Sequence, residues 1–214
     1  MTSRFDRLKR EIWNLPNMIT IGRVLLIPPV LLLIDKSDPY LCVLSMLLFM
    51  LASALDLADG WLARRQGLVT VFGKFMDPLA DKIMVTALLV YLVADARVPA
   101  WMVALLLTRE FYISGLRLLA ASDGVVIAAS SGGKLKTAFQ LVGICFLLVH
   151  YRYRLPFTDD SIDFNKIGLV LLFFSILASL SSAWSYTRDF GAAMRASRAD
   201  SDPEDVDAGA PQDD

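Results

Sequence analysis

Residues 56–81 read D-L-A-D-G-W-L-A-R-R-Q-G-L-V-T-V-F-G-K-F-M-D-P-L-A-D. Long apolar runs flank the stretch on both sides, so Asp56, Asp59, Asp77 and Asp81 lie at or near the depth of segments able to enter a bilayer. An Asp at the centre of a membrane helix costs about 2.5–3.5 kcal/mol on insertion scales, and four approach roughly 10 kcal/mol. Acids that survive this cost face a shared interior and a bound cation rather than lipid. The spacing agrees. Asp56 and Asp59 are three apart and Asp77 and Asp81 four apart, so each pair shares one helix face. Gly60 and Ala63 remove side-chain bulk beside the first pair, which lets a second helix or a ligand's phosphates approach. Two carboxylate pairs on facing helices suit one or two hard divalent cations. The stretch has no His or Cys, and an all-oxygen donor set favours Mg²⁺ or Mn²⁺ over Zn²⁺. Mg²⁺ held by few carboxylates completes its shell with water and substrate phosphate. Arg64 and Lys74 add positive charge for the same anion. A plainer reading is an ion-paired helix hairpin in which Asp59, Arg64 and Lys82 neutralise one another; four acids exceed what that pairing needs.

The rest of the chain sets this stretch in a membrane. Of 214 residues, 56% are hydrophobic, more than a soluble domain of this length carries. The expected fold is all-α: a polytopic membrane protein with about six transmembrane helices, over residues 17–35, 40–62, 77–95, 98–120, 134–151 and 166–187. Pro28 and Pro29 should bend the first span. Asp77-Pro78 has the form of an N-cap followed by a first-turn proline, which would start the third helix there. Residues 1–14 are too polar to span; Phe5, Leu8, Ile12 and Trp13, with Arg4, Arg7, Lys9 and Arg10 between them, predict an interfacial amphipathic helix. Residues 15–190 form the six-helix catalytic domain on this reading, and 191–214 an acidic, disordered tail. Basic residues in the N-terminal arm, in the loops after the second and fourth spans, and after the sixth place both termini and the Asp cluster in the cytoplasm. Cys42 and Cys145 fall in apolar runs and imply no disulfide framework. The charge pattern points to no nucleic acid, and the chain has no internal repeat.

Three further constellations carry charge or polarity into apolar surroundings. Asn17, Thr20 and Arg23 recur every three residues at the start of the first span and share a face. They read either as an N-cap with a snorkelling arginine or as a ligand-binding face. Arg109, Glu110 and Arg117 lie inside the fourth span, where intramembrane charge marks function by default. Arginine forks bind phosphate, with Glu110 orienting an arginine or a lysine; a buried Arg–Glu pair is the simpler alternative. Gly132-Gly133-Lys134-Leu135-Lys136-Thr137 brings two lysines to a helix N-terminus, a place for an anion or for positive-inside anchoring alone.

At these residues the chain resembles a known family. D-x2-D-G-x2-A-R-x8-G-x3-D-x3-D is the motif of the CDP-alcohol phosphatidyltransferase family, matched here by Asp56, Asp59, Gly60, Ala63, Arg64, Gly73, Asp77 and Asp81. P-N-x-x-T-x-x-R from Pro16 resembles the family's N-terminal element near the nucleotide. T-R-E-F-Y-I-S-G-L-R and G-V-V-I-A-A-S-S-G-G-K-L-K-T-A-F-Q resemble its phosphatidylglycerophosphate synthase branch. The resemblance covers about residues 14–140, with Gly132 standing where relatives often carry a bulkier residue. It implies transfer of a phosphatidyl group from CDP-diacylglycerol to sn-glycerol 3-phosphate, giving phosphatidylglycerol phosphate and CMP. It implies Mg²⁺ or Mn²⁺, two ions, on Asp56, Asp59, Asp77 and Asp81, with Asp81 also the general base. Asn17, Thr20, Arg23, Gly60, Arg64, Thr70 and Gly73 would hold CDP-diacylglycerol. Arg109, Glu110, Arg117, Lys134 and Lys136 would serve the acceptor's phosphate. A homodimer in the bacterial inner membrane is also implied. The core motif alone fits a cardiolipin synthase or an inositol-phosphate lipid synthase equally well. An ion-coupled transporter would instead require inverted repeats.

Overall fold

The computed structural model describes residues 15–34, 38–66, 71–122, 132–154 and 161–201. Within these, the side chains of residues 15–17, 56–66, 71–78, 81, 132, 134, 154 and 196–201 lie outside the description. The chain is mostly helical, with α1 Leu15–Leu25, α2 Ile27–Leu32, α3 Pro39–Gln66, α4 Val71–Ala94, α5 Ala100–Ser122, α6 Gly132–Val149 and α7 Phe164–Ser201. The expected helix over residues 1–14 lies outside the described residues. By length and composition, one helix among those described is long and apolar enough to cross a membrane, over Phe164–Arg195. Met18–Leu32, Pro39–Leu55, Lys82–Ala94 and Leu135–Val149 are shorter apolar stretches.

The first apolar span is divided as its prolines require. Pro28 and Pro29 have no N–H to continue the ladder, so α1 ends at Leu25 and α2 restarts with the prolines in its first turn. Leu26 carries the junction, its N–H donating to the Gly22 carbonyl at 3.0 Å. Helix α3 opens on Asp38, whose carboxylate accepts from the Tyr40 N–H at 2.8 Å, ahead of Pro39 at the first helical position.

Three expectations need correction. The third helix does not begin at Asp77: α4 starts at Val71, so Asp77-Pro78 lies inside a helix. One missing donor is tolerated in the interior of a helix when the residues before the proline, here V-F-G-K-F-M, extend the helical run. The fold is not purely helical. Arg152–Arg154 (β1) and Ser161–Asp163 (β2) pair antiparallel, with Arg152 opposite Asp163. Across the ribbon, Arg152 Nε lies 3.2 Å from Asp163 Oδ2, an opposite-charge cross-strand pair. Finally, α7 continues through Ser201, so residues 191–201 of the expected tail are helical; 202–214 lie outside the described residues.

The chain divides into two compact units. The first comprises residues 1–103 and 141–172. Here α1 packs against both α3 and α4, and α2 against the same two helices. Phe49, Met84, Leu88, Leu89, Leu92, Ile144, Leu147 and Leu172 fill its core. Gly143 and Gly168 bring α6 and α7 into contact: a Cβ built on Gly168 would lie 2.6 Å from Leu147 Cγ and 2.9 Å from the Gly143 carbonyl oxygen. Arg97, 3% exposed, closes the end of α6 by donating from Nη1 to the Leu147 and Leu148 carbonyls at 3.2 and 2.7 Å, while its Nε pairs with Asp95. The second unit comprises residues 104–140 and 173–214, with Ile113, Ala183 and Tyr186 at its centre and Leu116 packed on them.

Candidate functional site

In the first unit the fold sets the expected metal ligands on two helices. Asp56, Asp59, Gly60 and Arg64 fall near the C-terminal end of α3, and Gly73, Asp77 and Asp81 in the first half of α4. The side chains of these seven residues lie outside the described residues, as does all of Thr70. What the structure does establish is the helix that joins the two sets. Helix α1, which carries Asn17, Thr20 and Arg23, packs against both α3 and α4. Thr20 is 1% exposed and Arg23 fully buried, which settles their face: they point into the packed interior and not toward lipid. A snorkelling Arg23 is thereby excluded. Its buried guanidinium lies on the helix that packs against both of the helices carrying the four aspartates.

The donor set on α3 and α4 is four carboxylates at helix-face spacing, with neither histidine nor cysteine. That chemistry fits a hard divalent cation that keeps open positions for substrate oxygens.

The second unit assembles three helices around a charge cluster. Glu110 on α5 accepts from Lys136 Nζ on α6, and the same Oε2 lies 3.5 Å from Arg109 Nη1. Arg109 and Lys136 side chains are each 10% exposed, and Glu110 30%. Arg109 Nε also donates to the Ser179 carbonyl on α7 at 3.0 Å, and the Ser175 hydroxyl donates to the Lys136 carbonyl at 3.0 Å. Arg117 stands apart from this ion pair and lies over the Tyr186 ring, 5.6 Å from its centroid. The Lys134 side chain is outside the described residues. Arg109, Glu110 and Lys136 are thus brought together, and Glu110 touches both cations, as an orienting residue does. Anchoring alone does not account for Lys136, which is 8% exposed and paired.

Ser175 and Ser179 were not singled out from sequence. The available signal was their spacing: Ser175, Ser179 and Ser182 recur at i, i+4 and i+7, and Tyr186 follows at i+11, on one face of an otherwise apolar helix. All four are buried. Serines in that pattern serve as packing or as hydrogen-bonding partners, and only the neighbouring helices decide between the two.

Comparison with known proteins gives a consistent picture. Residues 13–181 match the CDP-alcohol phosphatidyltransferase family. A Bacillus subtilis protein named CDP-diacylglycerol–glycerol-3-phosphate 3-phosphatidyltransferase is 41% identical over 187 residues, 81% of this chain and 93% of its own length. A Rickettsia bellii protein of the same name is 34% identical over 173 residues, again 81% of this chain and 93% of the relative. A third, from Treponema pallidum, is 34% identical over 149 residues, 68% of this chain and 69% of the relative.

Proposed function

We propose, from the premise that the chain belongs to the CDP-alcohol phosphatidyltransferase family, whose members are membrane-associated and divalent-metal-dependent, that it transfers the phosphatidyl group of CDP-diacylglycerol to sn-glycerol 3-phosphate, forming phosphatidylglycerol phosphate and releasing CMP. The family match and the names of relatives at 34–41% identity support the donor and the acceptor. The single structural observation that carries the reading is the Arg109–Glu110–Lys136 cluster: an acceptor that already bears a phosphate calls for such a basic site, whereas serine or inositol does not.

In this reading Asp56, Asp59, Asp77 and Asp81 hold Mg²⁺ or Mn²⁺, as two ions. When bound, the cations offset charge on the pyrophosphate and on departing CMP. Asn17, Thr20, Arg23, Gly60, Arg64, Thr70 and Gly73 hold the CDP group; the small residues admit the phosphates closely and Arg23 and Arg64 supply positive charge. The acceptor's primary hydroxyl attacks the phosphorus nearest the lipid. The new phosphorus–oxygen bond forms as the bond to CMP breaks, and Asp81 accepts the hydroxyl proton. Arg109, Arg117, Lys134 and Lys136 position the acceptor through its phosphate, with Glu110 setting two of these side chains.

The same proposal places the chain in a bacterial inner membrane. Six spans over residues 15–190 have both termini and the aspartates cytoplasmic, preceded by an interfacial helix over residues 1–14, and two copies form a homodimer. The water-soluble acceptor and CMP then exchange with the cytosol while the acyl chains stay in lipid. Mass analysis of the lipid made from CDP-diacylglycerol and sn-glycerol 3-phosphate tests the reaction: phosphatidylglycerol phosphate is expected, and any other lipid product removes the acceptor assignment.

A further inference from the structure

Ser179 has a polar group that the fold leaves without a use. The residue is 1% exposed, and its hydroxyl oxygen is buried with no hydrogen-bond partner. Buried hydroxyls are nearly always satisfied, and an isolated one costs about 1–3 kcal/mol. The usual remedy for a helical serine is its own i−4 carbonyl, as Ser114 does with Glu110 and Ser53 with Phe49. Ser179 does not take it.

Its surroundings say what the hydroxyl is for. One turn earlier, Ser175 spends its hydroxyl on the Lys136 carbonyl and so fixes the backbone of α6 beneath the lysine. Two turns later, Tyr186 lies under the Arg117 guanidinium. Ser179 sits between them on the same face, and its own carbonyl receives Arg109 Nε. The unused hydroxyl therefore belongs to the helix face against which Arg109, Lys136 and Arg117 are set. These three supply charged N–H donors; a neutral O–H donor beside them suits an oxyanion, whose oxygens accept from several directions.

We infer that Ser179 is a direct contact to the phosphate of the acceptor, donating its hydroxyl to a phosphate oxygen beside Arg109. The inference rests on the reading that this cluster takes the acceptor's phosphomonoester, and it adds a third helix, α7, to the residues that bind it. Ser182, next on the same face, lies outside the contact and serves as the comparison.

The test uses the full chain in detergent micelles and two readouts. Binding of inorganic phosphate is measured by calorimetry, and turnover by CMP release with varied sn-glycerol 3-phosphate. Ser179→Ala should weaken phosphate binding about tenfold and raise KM for the acceptor by the same factor, since one hydrogen bond to a charged group is lost. The KM for CDP-diacylglycerol should stay at its wild-type value, the thermal midpoint should hold or rise because an unsatisfied buried hydroxyl is removed, and Ser182→Ala should leave phosphate binding and the acceptor KM unchanged. Equal phosphate binding in wild type and Ser179→Ala overturns the inference, as does a fall in kcat with the acceptor KM unmoved. Absence of phosphate binding by the wild type overturns it as well. Phosphate binding that depends on Ser179, in a wild-type chain that does not turn over sn-glycerol 3-phosphate, would keep the inference and remove the acceptor assignment, so the two failures are distinct.

Discussion

Glu110 on α5 holds Lys136 on α6 through the same carboxylate oxygen that faces Arg109. One acid thus controls the direction of two cations that would otherwise repel each other in a confined space. Its negative charge also offsets theirs, which is how three ionisable groups persist in apolar surroundings. Replacing the carboxylate by an amide keeps the shape and one acceptor oxygen but removes the charge. Glu110→Gln should raise the KM for sn-glycerol 3-phosphate about tenfold while the KM for CDP-diacylglycerol holds. It should also lower the thermal midpoint by a few degrees, because Lys136 and Arg109 then lack their counter-charge. Steady-state kinetics at varied acceptor, with a melting curve on the same sample, check both.

Arg97 does a purely structural job in the first unit. Its guanidinium satisfies two carbonyls at the end of α6 and neutralises Asp95, all with 3% exposure. Arg97→Ala should destabilise the protein by about 2–4 kcal/mol, since two carbonyls at the end of α6 lose their donor and Asp95 loses its counter-charge. Thermal unfolding in detergent should show the loss, and activity measured well below the midpoint should be retained.

The contact of α6 with α7 at Gly143 and Gly168 has no spare volume. Gly168→Ala drives a methyl into Leu147 and the Gly143 carbonyl, and overpacking of this kind costs about 1–3 kcal/mol. Gly191→Ala is the control: nothing lies within 4 Å of a Cβ built there, so it should be neutral or slightly stabilising. Melting temperatures of the two variants should separate accordingly.

Asp163 links the ribbon to α7. It accepts from the Lys166 N–H at 3.2 Å as the helix cap and pairs with Arg152 across the strands. The backbone hydrogen bond from Lys166, then Arg152, hold its carboxyl below the ordinary carboxylate range. A lowered pKa in the folded state means the stabilising contribution is complete above the unfolded value near 4 and is lost as pH falls through the folded one. Asp163→Asn keeps a capping oxygen without the titration. Melting temperatures of wild type and Asp163→Asn should therefore differ at pH 6, begin to approach each other below about pH 4, and meet only once pH has fallen through the lowered folded value.

Much of this was legible from sequence, for reasons particular to each element. Prolines 28 and 29 act locally, so the break between α1 and α2 followed from chain chemistry alone. A helix lies over each of the long apolar runs, whose length exceeds that of ordinary strands. The same dipeptide nevertheless had two fates. Asp38-Pro39 starts a helix, whereas Asp77-Pro78 lies inside one. The difference is set by what precedes it: Lys36-Ser37 before the first, and the apolar run beginning at Val71 before the second. The short ribbon was invisible because three-residue strands carry no periodicity; its Arg152–Asp163 pairing is a long-range fact. At the site, the charged residues announced themselves by being charged in an apolar run. Ser175 and Ser179 did not, since serine is unremarkable in a helix and only the neighbours on α5 and α6 give their polar groups meaning.

The central claim is the reaction, and acceptor-dependent CMP release tests it most directly. Purified full-length protein is given CDP-diacylglycerol and Mg²⁺ with sn-glycerol 3-phosphate, phosphatidylglycerol, inositol phosphate, inositol or serine, and Asp81→Asn is assayed in parallel. Release with sn-glycerol 3-phosphate alone, abolished by chelation of the metal and by Asp81→Asn, is the predicted result. Release with another acceptor in preference to it, or undiminished release by Asp81→Asn, would contradict the account.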